Sequence, residues 1–268
     1  MLQSPGFVYQ PRLHKTENSV KYPKRTPKQQ GEIQRLYDEA KLQYDQSSWS
    51  SSIEALLGAK SLPAITKIVS LGLGSLYEKS KDQPRRLKQL AMLLGVAEYL
   101  RSASCPEINI YAQDPSFTKA DEALLRSMGV QVLKTTSPAD LGEAGRVIDE
   151  RTLVYSPFLT IEAYELLLGT CTVDLLVGDD FNALRSKWKK HTAEHRQVEH
   201  LMKSCVSQYQ RRSISGNGFW RDDDRHFPMA LYNRGHHIRR QTGAKDQSSR
   251  NQLLPDIQPR GETPRARL

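Results

Sequence analysis

IVSLGLGSL, residues 68–76, is an apolar run that ends in two glycines one residue apart. Its β-branched residues, bounded by Pro63 upstream and Gly72 downstream, predict a buried strand. Glycines directly after a strand predict a tight turn, because glycine adopts positive φ without a steric penalty. The stretch therefore predicts the first strand of an α/β sheet, and it leaves open whether the turn binds a nucleotide.

Four more apolar runs follow, each separated from the next by a segment with helical spacing. The five predicted strands lie in AITKIVSLGLG, EINIYAQD, VQVLK, TLVYSPF and VDLLVGDDF. These runs are continuous rather than alternating, which is typical of strands covered on both faces. Strands that alternate with helices predict parallel pairing through right-handed crossovers. We expect an α/β fold with a Rossmann-like, doubly wound, mostly parallel five-stranded sheet, order 3-2-1-4-5, and helices on both faces.

The two ends of the chain differ from its middle. Residues 1–30 are rich in Pro, Lys and Gln and predict disorder. Residues 31–205 predict the α/β domain, preceded by N-terminal helices. Residues 206–268 predict a mostly disordered tail, in which Phe219 and Trp220 dock back on the domain.

Charge follows the same division, within a formal net charge of +9. Residues 1–30 carry six Lys and Arg against one acid, and residues 201–268 carry thirteen against six. The residues between them carry twenty against twenty-three. Basic ends attract polyanions without specifying one. Nucleic-acid binding through the tails and a solvated tail that only keeps the protein soluble both remain open.

The cysteines and the hydropathy of the chain indicate the cellular compartment in which the protein is expected. Cys105, Cys171 and Cys205 are odd in number and form no CxxC pair, which favours a reducing compartment. No apolar stretch approaches the ~20 residues of a membrane helix, and the N-terminus has no apolar signal segment. We expect a cytoplasmic or nuclear location and no membrane association.

The glycine turn lies where a doubly wound sheet places its ligand crevice, at the carboxyl ends of the first and fourth strands. Gly72 and Gly74 would let backbone N–H groups approach an anion, with Ser75 in the same turn. The third glycine of a GxGxxG motif is absent, because Tyr77 holds that place. A nucleotide site and a turn that only needs positive φ are both compatible with this pattern.

Acidic residues end two of the other predicted strands. Asp114 holds the position from which Rossmann enzymes bind a ribose hydroxyl, although capping of a helix over 116–128 is an equal alternative. Asp179 and Asp180 could bind a cation or act as acid and base. Their alternative role is to cap the helix from Asn182.

The segment HTAEH matches the H-x-x-E-H pattern of inverted zinc peptidases. On one helix, His191 and His195 would face the same way and could hold zinc, with Glu194 as the base. The surrounding stretch is polar nearly all round, and a catalytic zinc would also need a third protein ligand and a sheltered cavity. We therefore predict no metal site and favour a solvated helix face with i,i+4 charge pairs.

Taken together, blocks between residues 65 and 184 resemble the sensitivity-to-red-light-reduced (SRR-like) domain family. The blocks are IVSLGLGSL, QLAMLLGVAEYL, INIYAQDPSFTKADEALLRSMGVQVL, TLVYSPFLTIEAYELLLG and VDLLVGDDF. The resemblance implies a Rossmann-like fold and a regulatory role. Members of the family are linked to clock and light signalling in plants and to microtubule or haem-related phenotypes elsewhere, and no established reaction accompanies the resemblance.

The chain departs from the family pattern at two places. The family has Met-Pro-His-Cys after the fourth strand, whereas residues 155–159 read YSPFL and keep only the proline. It has Gly-Asn-Ser-Phe after the fifth strand, whereas residues 178–181 read GDDF. The resemblance therefore implies that any chemistry performed by His and Cys in relatives is lost here.

These observations favour a non-catalytic regulatory protein with a small-ligand crevice, whose cofactor and protein partners the sequence does not identify. The predicted ligand-binding residues are Gly72, Gly74, Ser75, Asp114, Pro157, Asp179 and Asp180. The alternative is a nucleotide-dependent Rossmann enzyme of the S-adenosylmethionine methyltransferase or NAD(P) dehydrogenase type. A second alternative is polyanion binding through the basic tails.

Overall fold

The computed structural model describes residues 27–59, 62–103, 107–135, 137, 139–220 and 228–235. The predictions about the N-terminal segment before residue 27, the tail beyond residue 235 and Cys105 lie outside the described residues. No helix in the described part is long and apolar enough to cross a membrane.

Seven strands form one sheet in this part of the chain, in the order β3-β2-β1-β4-β5-β7-β6. Their bounds are β1 Lys67–Leu71, β2 Asn109–Gln113, β3 Val130–Val132, β4 Thr152–Ser156, β5 Leu175–Asp179, β6 Gln210–Ile214 and β7 Met229–Asn233. The first five strands pair in parallel, and β7 runs antiparallel to both β5 and β6. The predicted order 3-2-1-4-5 of the first five strands is confirmed.

The prediction of only five strands is wrong. β6 and β7 come from the region that was expected to be mostly disordered. β6 reads QRRSI, and only Ile214 in it is buried, so it gives no apolar run. β7 is fully buried and pairs with β5 from Leu175↔Asn233 to Asp179↔Met229. Its short apolar run was missed because the stretches around it are rich in Gly, Arg and Asn.

Eight α-helices accompany the sheet in the described residues. Their bounds are α1 Pro27–Asp45, α2 Ser48–Leu57, α3 Gln83–Ala103, α4 Lys119–Ser127, α5 Ala144–Val147, α6 Ile161–Thr170, α7 Phe181–Lys187 and α8 Ala193–Leu201. A π-helical turn, Met202–Val206, continues α8. The helix predicted from Asn182 ends at Lys187, and residues 188–192 separate it from α8.

The sheet separates two cores, one on each face. Alternate strand residues divide between them, so that Ile68 belongs to the first core and Val69 to the second. The first core includes α1, α2 and α3, and α1 meets α3 so closely that a Cβ on Gly95 would lie 2.2 Å from the Tyr44 ring. Phe219 is buried in the same core, with its ring centroid 5.4 Å from that of Tyr44. Because β1 to β5 pair in parallel, their carboxyl ends lie along one edge of the sheet.

Candidate functional site

The turn after β1 requires both of its glycines. Gly72 has φ 76° and Gly74 has φ 75°, in the left-handed region that L side chains rarely adopt. A Cβ on Gly72 would lie 2.6 Å from Leu159 Cδ2, and one on Gly74 would lie 2.7 Å from Arg86 Nε. The glycines therefore serve both the backbone conformation and the close approach of neighbouring side chains.

Asp114 holds this turn. Its Oδ2 accepts the Gly74 N–H at 2.8 Å, and its Oδ1 accepts the Ser116 N–H at 2.8 Å. The alternative in which Asp114 caps a helix over 116–128 is wrong, because α4 begins at Lys119 and is capped by Thr118. A carboxylate at the end of β2 thus binds the glycine turn itself.

A second carboxylate, Asp121, completes the attachment and was missed by the sequence analysis. It is fully buried and accepts the N–H groups of Leu76 and Tyr77 at 2.7 and 3.1 Å, and the Ser75 hydroxyl at 2.9 Å. It also accepts the N–H and hydroxyl of Thr118 at 2.7 Å, as the acidic member of a capping box. The T-x-x-D spacing was the one signal that could have identified it.

The consequence for ligand binding is electrostatic. The amides of Gly74, Leu76 and Tyr77 are bound by carboxylates of the chain, in the place where a phosphate cradle keeps such groups for its anion. A phosphate here would have to displace a carboxylate and approach the negative charge of the other. The same hydrogen bonds attach the turn to the end of β2 and to α4.

The corner after β4, residues 156–158, faces the glycine turn. Phe158 has φ 68°, and its N–H donates to both oxygens of Asp179, at 3.1 and 3.2 Å. The Phe158 ring lies between the Arg85 guanidinium, 4.9 Å from its centroid, and the Trp220 ring, at 5.9 Å. Pro157 is buried beside it. The contact between Leu159 and the glycine turn shows that the two strand ends converge at the carboxyl edge, as predicted.

Asp179 is the most perturbed acid of this site. Its side chain is buried at the end of β5, and burial raises its pKa to about 7. The Phe158 N–H, the Tyr164 hydroxyl and the charges of Arg85 and Lys187 act in the opposite direction without offsetting burial. A carboxyl group with a pKa near neutrality can gain or lose its proton under ordinary conditions.

Asp180 points elsewhere and has a structural role. It accepts the Asn182 N–H at 3.1 Å as the cap of α7, so the capping alternative is confirmed for this residue. It also forms a two-point ion pair with Arg211 of β6, with Nε to Oδ1 at 2.7 Å. Arg211 could not be found from sequence, because its region gave no strand pattern.

The zinc alternative does not have the geometry that it needs. His191 lies before α8, exposed and with φ 74°, and Thr192 caps the helix by accepting the His195 N–H at 3.2 Å. His191 and His195 therefore do not share a helix face, and Glu194 lies in the first turn of α8. The described residues contain no group of three side chains able to hold a metal ion.

A family model described as SRR1 domain matches residues 33–253. The chain belongs to the SRR1 domain family. The match starts before and ends after the residues 65–184 that carried the resemblance, and it includes β6 and β7. A comparison with curated proteins finds no match.

Several solved structures are similar in fold. Cofactor-bound Rv0187 from MTB is 11% identical, with 78% of this chain and 91% of that chain covered and a TM-score of 0.42. The methyltransferase domain of bacterial CtHen1-CN is 12% identical, with 69% and 96% covered and a TM-score of 0.37. The Methanococcus jannaschii fibrillarin pre-rRNA processing protein is 9% identical, with 65% and 69% covered and a TM-score of 0.37. These likenesses concern the general α/β arrangement only.

Proposed function

We propose that this SRR1-domain chain is a non-catalytic regulatory protein that acts through binding partners and not through a nucleotide cofactor. The observation that carries this proposal is the engagement of the glycine-turn amides by Asp114 and Asp121. A nucleotide-dependent Rossmann enzyme uses such amides for its phosphates or leaves them open to its cofactor. Here they serve the fold.

The corner after β4 supports the same proposal. When the family motif is aligned on Pro157, Phe158 and Leu159 stand where relatives have His and Cys. Both side chains fill the crevice: Phe158 lies against Trp220, and Leu159 lies against Gly72. Phe158 and Leu159, which carry no acid, base or nucleophile, thus occupy the places that His and Cys hold in relatives.

A ligand screen tests the proposal against the enzyme alternative. The purified protein is heated with S-adenosylmethionine, NAD(H), NADP(H), nucleotides or haem, each at about 1 mM where solubility allows. A cofactor present at a hundred times its Kd adds about 2.7 kcal/mol of stability, which raises Tm by roughly 5–10 °C in a domain of this size. We expect no such shift with any of them.

If a cofactor raises Tm, two glycine variants test whether it binds at the glycine turn. Gly74→Val closes the turn, whereas Gly129→Val places a side chain at a similar positive φ where no atom lies within 4 Å of the added Cβ. A cofactor shift that disappears in the first variant and persists in the second would overturn the proposal in favour of the enzyme.

Polyanion binding through the tails rests on their charge and is a separate proposal. Nucleic-acid affinity should fall steeply as salt is raised and should vanish when Lys and Arg before residue 27 and beyond residue 235 are replaced by Ser. Affinity that survives the replacement would contradict it. We also propose that the protein lies in the cytoplasm or nucleus and that its partners are proteins.

A further inference from the structure

β6 forms one edge of the sheet. In the part of the chain that the structure describes, it pairs with β7 only. The strand at the other edge, β3, has three residues, whereas β6 has five, and only Ile214 of these is buried. A longer free edge offers more backbone groups to a second strand, and proteins use such edges to bind extended peptides. β6 is therefore the edge at which an additional strand could form the most hydrogen bonds.

The pairing of β7 shows which main-chain groups of β6 face outward. In an antiparallel ladder, alternate residues of a strand direct their N–H and C=O groups to opposite neighbours. The Arg234 N–H donates to the Asp174 carbonyl beside β5 at 2.9 Å, so the even-numbered residues of β7 face β5 and the odd-numbered ones face β6. The β6 residues opposite the odd-numbered ones are Gln210, Arg212 and Ile214. Their main-chain groups bind β7, and those of Arg211 and Ser213 face the free edge.

The outward-facing groups are accessible. Arg211 and Ser213 are both exposed, and no hydrogen bond to their N–H or C=O groups is present among the described residues. Unpaired main-chain groups on an exposed edge can pair with the main chain of another strand. An added strand would thus find two donors and two acceptors at this edge.

The charge of this edge favours one kind of strand. Residues 201–220 include Lys203, Arg211 and Arg212 and no acidic residue. Arg211 is paired with Asp180, whereas the half-buried Arg212 has no ion pair or hydrogen bond of its side chain within the described ranges. Opposite charges on adjacent strands attract each other, and like charges repel. A strand that places a carboxylate against Arg212 is therefore complementary to β6.

A second copy of this chain is not complementary. Pairing of β6 with the β6 of another copy would place the arginines of both strands side by side, and like charges on paired strands are destabilising. Charged side chains on edge strands are a common means by which proteins avoid such self-association. The arginines that disfavour a second copy therefore favour an acidic partner.

We propose that the free edge of β6 binds an extended acidic segment of a partner protein as an additional strand, with a carboxylate of the partner against Arg212. Main-chain hydrogen bonds to Arg211 and Ser213 position the segment, and the charge of Arg212 selects its acidic side chains. The proposal goes beyond the proposed function, because it assigns a binding surface and a chemistry to the partner. This surface is four strands away from β1 and its glycine turn.

Fluorescence anisotropy with defined peptides tests this surface on the full-length protein, at about 0.15 M salt, where interactions between exposed charges alone are screened. The probe is a fluorescein-labelled peptide in which glutamate and valine alternate. One control is the same peptide with every amide N-methylated, which keeps the charge and has no main-chain donor. The other control has lysine in place of glutamate. We expect the probe to bind roughly tenfold more tightly than either control, or better.

Two variants separate the main-chain contacts from the charge. Ser213→Pro removes an outward N–H and leaves the bonds between β6 and β7 in place, and proline is tolerated on an edge strand where its nitrogen faces solvent. It should weaken binding of the glutamate peptide roughly tenfold. Arg212→Glu should weaken it by a similar factor and should bind the lysine peptide instead. Arg151→Glu, at an exposed residue that precedes β4, is the matched charge reversal and should bind as the wild type does.

Amide hydrogen exchange locates the bound peptide. When the protein is saturated with the glutamate peptide, the amides of Arg211 and Ser213 should gain protection, because they acquire acceptors. The Arg212 amide, which already donates to β7, should not change. Binding by charge alone would leave all three amides unchanged.

The proposal is overturned if the glutamate peptide does not bind, if the N-methylated peptide binds equally well, or if Arg212→Glu leaves binding unchanged. Should Ser213→Pro fail to fold, the N-methylated peptide and the exchange of Arg211 and Ser213 decide whether the main chain is used. None of these results bears on the cofactor screen, so the strand addition and the proposed function can fail separately.

Discussion

Two buried carboxyl groups at the carboxyl edge of the sheet stand in contrast. Asp121 accepts five hydrogen bonds, from Ser75, Leu76, Tyr77 and twice from Thr118. Asp179 has the Phe158 N–H and the contact with Tyr164. Through its five donors, Asp121 attaches the glycine turn to the start of α4. Asp179 has fewer donors, and burial raises its pKa to about 7.

Removal of the first carboxyl group should have the largest effect. Asp121→Ala leaves five donors of the glycine turn and α4 without their acceptor, several of them buried, and should destabilise the protein by about 3–5 kcal/mol. Urea unfolding at pH 7 measures the change. Glu122→Ala, at the adjacent residue, loses only an i,i+4 pair with Arg126 and should cost about 0.5 kcal/mol. Similar losses of stability in Asp121→Ala and Glu122→Ala would show that the hydrogen bonds of Asp121 are not a major source of stability.

Asp179→Asn should act in the opposite direction. The wild-type carboxyl has a folded-state pKa of about 7, above the value near 4 of an unfolded Asp. Its contribution to stability is thus present below pH 4 and is lost as pH rises to 7. At pH 8 the Asn variant should be more stable than wild type by up to about 4 kcal/mol.

The measurement for this variant is a series of urea midpoints from pH 4 to pH 8. The advantage of Asp179→Asn should shrink steadily toward pH 4. If the gain in stability were the same at every pH, the charge of Asp179 would not be its cause. The contrast between Asp179 and Asp121 would then be wrong.

The glycine turn offers a smaller test of how tightly it is packed. Gly74→Ala should destabilise by roughly 2 kcal/mol, because positive φ disfavours a Cβ and Arg86 Nε lies in its way. Gly129→Ala has the same φ penalty without a neighbouring atom and should cost roughly 1 kcal/mol. Equal thermal shifts in the two variants would show that backbone strain alone sets the requirement at Gly74.

The helix caps beside the two corners should show the smallest difference. Thr118 caps α4 and also donates to Asp121, so Thr118→Ala should cost about 1 kcal/mol. Thr160 caps α6 through the Ala163 N–H at 3.2 Å, and Thr160→Ala should cost about 0.5 kcal/mol. Differential scanning calorimetry of both variants ranks them, and the reverse order would contradict the stronger attachment at the glycine turn.

Sequence alone predicted the parts of the site that depend on local pattern. Continuous apolar runs placed the first five strands, and the positive φ of Gly72 and Gly74 followed from glycine next to a strand end. Asp121 was missed because three of its donors lie 44 to 46 residues away along the chain. Its own segment reads as an ordinary helix start.

The β6–β7 extension was missed for a different reason. β6 lies at the edge of the sheet, and only Ile214 of its five residues is buried. Its sequence therefore has no apolar pattern from which a strand could be predicted. Arg211 reads as part of a basic tail until the sheet brings it to Asp180. Residues that meet only through tertiary structure, as Arg211 and Asp180 do, have no fixed separation along the chain, so a single sequence does not reveal that they pair.

The antiparallel pairing of β5 with β7 has a consequence for biosynthesis. The register from Asp179↔Met229 to Leu175↔Asn233 means that β5 leaves the ribosome roughly fifty residues before the strand that covers its edge. During that interval an apolar, hydrogen-bonding edge is open to other nascent chains. A chaperone that shields this strand, or a pause in translation before Met229, would change the yield of native protein without changing its final stability.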